Sequence, residues 1–128
     1  MIALLLVALG GGVGAAARFV LDGEIRARTT GGFPWGTFTV NVLGSLMIGV
    51  ITGAVLAAGA AAGPLEPWRL ALAKGLCGGF TTFSTATVET VRLAQSGRLR
   101  LALANTLGTL VVTVAAVAGG LALTTAVL

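Results

Sequence analysis

The chain contains no histidine and one cysteine, Cys77. Neither a thiolate or imidazole metal site nor a Ser-His or Cys-His catalytic pair can therefore be built within one chain. Cys77 reads as a small core residue. Carboxylates are nearly as scarce. Asp22, Glu24, Glu66 and Glu89 are the four acidic residues, and the first three are expected in loops. With no carboxylate at mid-membrane, proton-coupled export is disfavoured, since it depends on a buried acid that changes charge during the cycle. Nothing in this inventory supports an enzyme.

What the chain does have is apolar length. Of its 128 residues 56% are hydrophobic and 9% are charged, with mean hydropathy +1.02, whereas ordinary soluble domains carry about 25% charge. Four stretches reach the roughly 20 residues a helix needs to cross a bilayer: Ile2 to Val20, Phe38 to Ala58, Leu70 to Leu93, and Leu99 to Val127. They predict an all-α integral membrane protein, one domain over residues 1–128. The first stretch has no basic segment ahead of it and no typical cleavage site, so it reads as a retained helix and not a signal peptide. Trp35 and Trp68 each precede a span, as interfacial aromatics do. The Ala/Gly-rich segment Leu56 to Pro67, with Pro64 and Pro67, reads as a turn. The short link Ala94 to Arg98 favours an antiparallel pair of helices.

The net charge of +4 does not point to nucleic acid, because the basic residues are scattered over short loops. Arg18, Arg26, Arg28, Arg92, Arg98 and Arg100 fall on one side of a four-span topology, against Arg69 and Lys74 on the other. That asymmetry is a positive-inside signal and places both termini outside.

Within the spans, glycines and polar residues fall in patterns. Gly10 and Gly14, Gly49 and Gly53, and Gly75 and Gly79 stand four apart, a spacing that allows helices to approach closely in lipid. Gly78-Gly79-Phe80-Thr81-Thr82-Phe83-Ser84-Thr85 combines adjacent glycines with a run of hydroxyls, predicting that the third helix breaks near Gly78–Thr82. Non-helical backbone at membrane depth persists only where it is buried in protein or lines a polar site. Thr37, Asn41 and Ser45 recur every four residues on the second helix, as do Asn105, Thr109 and Thr113 on the fourth, so each set forms a ladder along one face. An asparagine cannot satisfy both its N–H donors on its own helix. The pattern leaves interhelical hydrogen bonding and a solute path equally open.

Three motifs carry a resemblance. Gly-Thr-Phe-Thr-Val-Asn-Val-Leu-Gly-Ser (Gly36 to Ser45), Gly-Gly-Phe-Thr-Thr-Phe-Ser-Thr (Gly78 to Thr85) and Gly14-Ala-Ala-Ala-Arg18-Phe19 together resemble the Fluc/CrcB family of bacterial fluoride channels, in order and over nearly the whole chain. The resemblance implies a passive fluoride exporter of the bacterial inner membrane, an antiparallel dual-topology dimer with two pores and a structural sodium ion. It makes Asn41 the pore asparagine, with Thr37 one turn earlier, and Phe83 the first of two pore aromatics. It assigns the Gly78 and Thr81 carbonyls to sodium and the Thr109 and Thr113 hydroxyls to a polar track, with Asn105 at a position often held by tyrosine. Arg18 and Glu89 become structural or vestibule residues.

One departure from the family pattern is Ala86, where the second pore aromatic is usual. It raises the alternative of a half-pore or non-conducting subunit that pairs with an oppositely oriented paralogue. A small multidrug exporter of similar length is the remaining alternative, weakened by the absence of a carboxylate in the first helix.

Physical chemistry agrees with a fluoride path. Fluoride is small, hard and strongly hydrated, so a pore must replace its water with dense donors and hold no charge deep enough to trap it. Asn and Thr supply such donors, and an aromatic ring edge carries positive quadrupole.

Overall fold

The computed structural model describes residues 1–59 and 66–128, and among these every regular element is helical. The chain runs through α1 (Ile2–Arg28), α2 (Trp35–Ala57), a short α3 (Glu66–Leu70) that widens into a π-helical segment (Ala71–Leu76), α4 (Cys77–Phe80), α5 (Phe83–Gln95) and α6 (Leu99–Val127). Helices α1, α2 and α6 are each long and apolar enough to cross a membrane. The segments from α3 to α5 form the third, interrupted crossing. Half of the turn expected over Leu56–Pro67 falls on residues 60–65, outside the described residues, while Leu56 and Ala57 still belong to α2 and Glu66 and Pro67 open α3.

Helix α1 continues eight residues beyond Val20, so Asp22 and Glu24 lie on a helix and not in a loop as the sequence had led us to expect. The cause is local. Asp22 pairs with Arg26 at 2.8 Å and Glu24 with Arg28 at 3.4 Å, both one turn apart, and the two arginines complement the helix C-terminus. The helix stops where Thr29-Thr30 leads into Gly31 and Gly32, both at positive φ. Glu66 likewise belongs to a helix, opening α3. Between α5 and α6 the reversal is tight: Gly97 adopts φ +80° and Arg98 donates its N–H to the Leu93 carbonyl at 2.9 Å. That is a Schellman closure, which needs glycine at the left-handed position.

Small residues govern the packing, because lipid tails are as apolar as leucine and helices associate through close approach. A Cβ on Gly75 would stand 2.7 Å from the Val7 carbonyl oxygen, and one on Gly10 would stand 2.5 Å from that of Ala71. Gly14 and Gly79 meet the backbone of Leu76 and Gly11 in the same way. These contacts seat α1 against the π-helical segment and α4. On the other side α2 packs along α6, where a Cβ on Gly53 would come 2.8 Å from Thr124 Cβ and one on Gly120 would come 2.7 Å from the Leu46 carbonyl oxygen. Large apolar side chains such as Leu9, Val13, Leu103, Leu107 and Val111 point outward, as lipid-facing residues should.

The interruption changes the third crossing's partner. Its first half packs on α1, and α5 packs chiefly on α6. The break is therefore the point at which the chain passes from one helix pair to the other.

Candidate functional site

The break falls on Thr81 and Thr82, which are extended (φ −82°, ψ 161° and φ −150°, ψ 119°), whereas Gly78 and Gly79 remain helical in α4. The threonine hydroxyls offer the backbone alternatives to the helical ladder. Thr81 Oγ1 donates to the Cys77 carbonyl at 3.0 Å, and Thr82 Oγ1 caps α5 by accepting the Thr85 N–H at 3.2 Å. The remaining backbone groups of Thr82 find their partner on α2. Its N–H donates to Asn41 Oδ1 at 2.7 Å, and its carbonyl accepts from Asn41 Nδ2 at 2.9 Å. A single buried side chain thus completes backbone that would otherwise be costly at membrane depth. Asn41 Nδ2 carries two hydrogens; Thr82 takes one, and Asn41 also lines a cavity of about 650 Å³.

That cavity gathers most of the residues singled out in the sequence: Asn41, Thr81, Phe83, Asn105, Thr109 and Thr113 all line it, with Ala86 on the same wall. Phe83, the first residue of α5, is 87% exposed. The polar ladders are not equivalent. Asn105 is buried and sends Nδ2 to Thr90 Oγ1 at 2.8 Å and to the Ala86 carbonyl at 3.3 Å, so both of its donors tie α6 to α5. Its Oδ1 accepts from Thr109 at 3.4 Å, while Thr113 donates to the Thr109 carbonyl at 2.6 Å. Of the two possibilities the pattern left open, interhelical bonding describes Asn105. Thr109 and Thr113 line the cavity, and each hydroxyl must release its present acceptor to donate to a solute, which the long 3.4 Å bond makes easier for Thr109.

Thr37 and Arg18 line a smaller adjoining cavity of about 280 Å³, and Thr82 borders both spaces. Arg18 Nη1 donates to the Thr81 carbonyl at 3.0 Å. Thr37 is 1% exposed, and its hydroxyl donates to Glu89 Oε1 at 3.0 Å. Glu89 is also held by Arg26, which reaches Asp22 and Thr37 as well. Arg26, Asp22, Thr82 and Thr90 are site residues that sequence reasoning passed over. Thr82 was findable as a Ser/Thr residue just ahead of an apolar helical run. For Arg26 the one signal was Asp22 four residues earlier, which says nothing of Glu89.

A cation at the break would depend on carbonyl oxygens, since no group of three or more His, Cys, Asp or Glu able to hold a metal occurs among the described residues. Gly78 suits that role. Thr82 gives its N–H to Asn41 and not back to Gly78, and the Gly78 Cα faces open space with nothing within 4 Å of a built Cβ. The Thr81 carbonyl accepts Arg18 on one side, and a carbonyl oxygen has two lone pairs. Both oxygens are hard and neutral, the donor type that alkali and alkaline-earth cations take.

The same sequence matches known proteins throughout its length. The family described as "CrcB-like protein, Camphor Resistance (CrcB)" matches residues 5–121. The "Fluoride-specific ion channel FluC 1" of Leifsonia xyli subsp. xyli is 45% identical over 119 residues, covering 92% of this chain and 83% of that protein. "Fluoride-specific ion channel FluC 2" of Cutibacterium acnes is 46% identical over 121 residues, covering 94% and 95%. "Fluoride-specific ion channel FluC 1" of Frankia casuarinae is 43% identical over 127 residues, covering 96% of each. With this coverage, and with three long apolar helices and an interrupted third crossing, the chain is a multi-pass membrane protein that belongs to the CrcB family.

Proposed function

We propose that this protein is a passive, fluoride-selective channel of the bacterial plasma membrane. The observation that carries the reading is the Asn41–Thr82 pair, which fixes a broken helix beside a donor-lined cavity and leaves one Asn41 N–H to face a solute. The relatives' names supply the ion. The chain is not an enzyme, and its family relatives are ion channels.

The path uses neutral donors. Fluoride exchanges its water for the free Asn41 N–H, the ring edge of Phe83, and the rotating hydroxyls of Thr109 and Thr113. Asn105 orients Thr109 from behind. Neutral donors bind a small anion without trapping it, as fixed ammonium or guanidinium groups in the narrow region would. Arg18 and Glu89 stay at the mouth. A membrane potential negative inside drives the anion outward, by about 2.3 kcal/mol per charge at 100 mV, so export needs no coupled proton.

One chain lines only part of an enclosed path: Phe83 is largely uncovered and the main cavity is open along its side. The working unit is a dimer of antiparallel chains, with the exposed α5 face covered by the partner. A sodium ion would be held by the Gly78 and Thr81 carbonyls of both chains. Bound there, it supplies a fixed charge that joins the two helix breaks and is not transported. Ala86 keeps a second arrangement in view, in which the partner is a paralogue that supplies the missing aromatic.

The test is fluoride efflux from liposomes containing the purified chain alone, with chloride-loaded liposomes in parallel. Rapid fluoride release with chloride retained supports a self-sufficient channel. Release only after a paralogue is added supports the mixed pair, and no release in either case contradicts the channel.

A further inference from the structure

Arg26 binds three groups on three helices. Its Nε lies 2.8 Å from Asp22 Oδ1 on α1, one Nη2 contact goes to Glu89 Oε1 on α5, and the same nitrogen is 3.2 Å from Thr37 Oγ1 on α2. Thr37 closes the figure by donating to the same Glu89 oxygen at 3.0 Å. The Glu89 side chain is only 12% exposed, and its Oε2 is buried without a hydrogen-bond partner. A carboxylate that is nearly buried and half-satisfied depends on its cation.

Its place makes that dependence functional. Thr37 stands one helical turn before Asn41 on the same face of α2 and lines the smaller cavity, so Glu89 Oε1, which it binds, lies directly behind that approach. A bare carboxylate there opposes an anion. We propose that Arg26 is a positioning residue for conduction: it neutralises Glu89 and turns it onto Thr37, so that the mouth of the path carries no net repulsion. The inference rests on the fluoride-channel reading above. Arg18 and Asp22 line the smaller cavity with Thr37, whereas Arg26 and Glu89 line the neighbouring one together with Arg92. Removing Arg26 takes away the cation bound directly to Glu89 Oε1, and Arg92, which lines the same cavity, makes no ion pair with that carboxylate.

The neighbouring pair Arg28–Glu24 provides the internal comparison. It has the same one-turn spacing, but its side chains are 80% and 63% exposed and it reaches no other helix. An exposed pair of this kind contributes little.

The experiment measures fluoride efflux from liposomes for the native chain, Arg26→Gln, Glu89→Gln, Arg26→Gln with Glu89→Gln, and Arg28→Gln. An uncompensated unit charge facing an anion about 10 Å away in a partly buried setting lowers its occupancy by roughly tenfold, and Arg26→Gln is expected to slow efflux by that factor. Arg28→Gln leaves the rate as it was. The double variant recovers to about the rate of Glu89→Gln alone, because the charge that Arg26 offsets is then gone; a merely structural arginine would not be rescued in this way. An Arg26→Gln rate equal to native, or a double variant as slow as Arg26→Gln, overturns the proposal. If the native chain releases no fluoride, the channel reading is what fails, and the melting temperatures of the same proteins decide the pairing. A larger loss for Arg26→Gln than for the double variant upholds the pairing, and additive losses refute it.

Discussion

Asn41 Oδ1 accepts the Thr82 N–H at 2.7 Å while Asn41 Nδ2 donates to the Thr82 carbonyl at 2.9 Å. One side chain on α2 therefore completes both backbone groups of the residue at which the third crossing breaks. The side chain that satisfies the break and the candidate anion donor are the same, Asn41, which links stability to conduction.

The first prediction follows from that link. Asn41→Asp keeps an acceptor for the Thr82 N–H but sets a carboxylate against the Thr82 carbonyl and removes both amide donors, so fluoride efflux falls at least tenfold. Asn41→Leu also leaves two backbone groups unpaired, at about 1–3 kcal/mol each. Efflux and thermal unfolding in detergent are measured together: both variants are expected to lose flux and stability, because each leaves at least the Thr82 carbonyl without its partner.

Gly75 and Gly78 should respond oppositely to the same change. A Cβ on Gly75 meets the Val7 carbonyl oxygen at 2.7 Å, whereas one on Gly78 meets nothing within 4 Å. Gly75→Ala is expected to destabilise the chain by about 1–3 kcal/mol through overpacking against α1. Gly78→Ala leaves the fold of the single chain intact, and unfolding midpoints for the two variants provide the check.

Asn105 holds α6 to α5 through Thr90 and the Ala86 carbonyl. Interhelical hydrogen bonds in membranes contribute about 0.6 kcal/mol on average and up to about 1.7, so Asn105→Ala should cost about 1–2 kcal/mol. Thr90→Val should cost less, since the Ala86 bond survives. A double-mutant cycle on unfolding that shows no coupling between Asn105 and Thr90 would contradict the assignment.

If sodium bridges the carbonyls of two chains, exchanging it for a large organic cation removes the bridge while leaving each chain's own hydrogen bonds in place. Fluoride efflux is expected to drop at least tenfold after exhaustive dialysis into N-methylglucamine and to return when sodium is restored. The factor reflects the loss of a unit charge from a partly buried site. Efflux unchanged after dialysis would remove sodium from the account.

Apolar length made the helices legible, and the last of them runs over the expected residues, Leu99–Val127. The glycine pairs also read correctly, because small-residue spacing has a direct packing meaning. The end of α1 did not, since its extension past Val20 runs through charged residues that a hydropathy reading treats as loop. The break was legible, since Thr81 and Thr82 fall inside the expected Gly78–Thr82, but which of those residues leave the helix was not. Gly78 and Gly79 lower helix propensity, yet Thr82 is where Asn41 can reach the backbone, and that is a tertiary fact. The Arg26–Glu89 pair spans 63 residues of sequence, and the π-helical turn at Ala71–Leu76 left no sequence signal we can identify.

The most direct test of the central claim is the reversal potential of current through the purified chain in a planar bilayer, under a fluoride gradient with chloride held equal on both sides. A passive fluoride-selective path reverses at the fluoride equilibrium potential and stays there when a proton gradient is imposed. Reversal near zero, or a potential that follows the proton gradient, would contradict it.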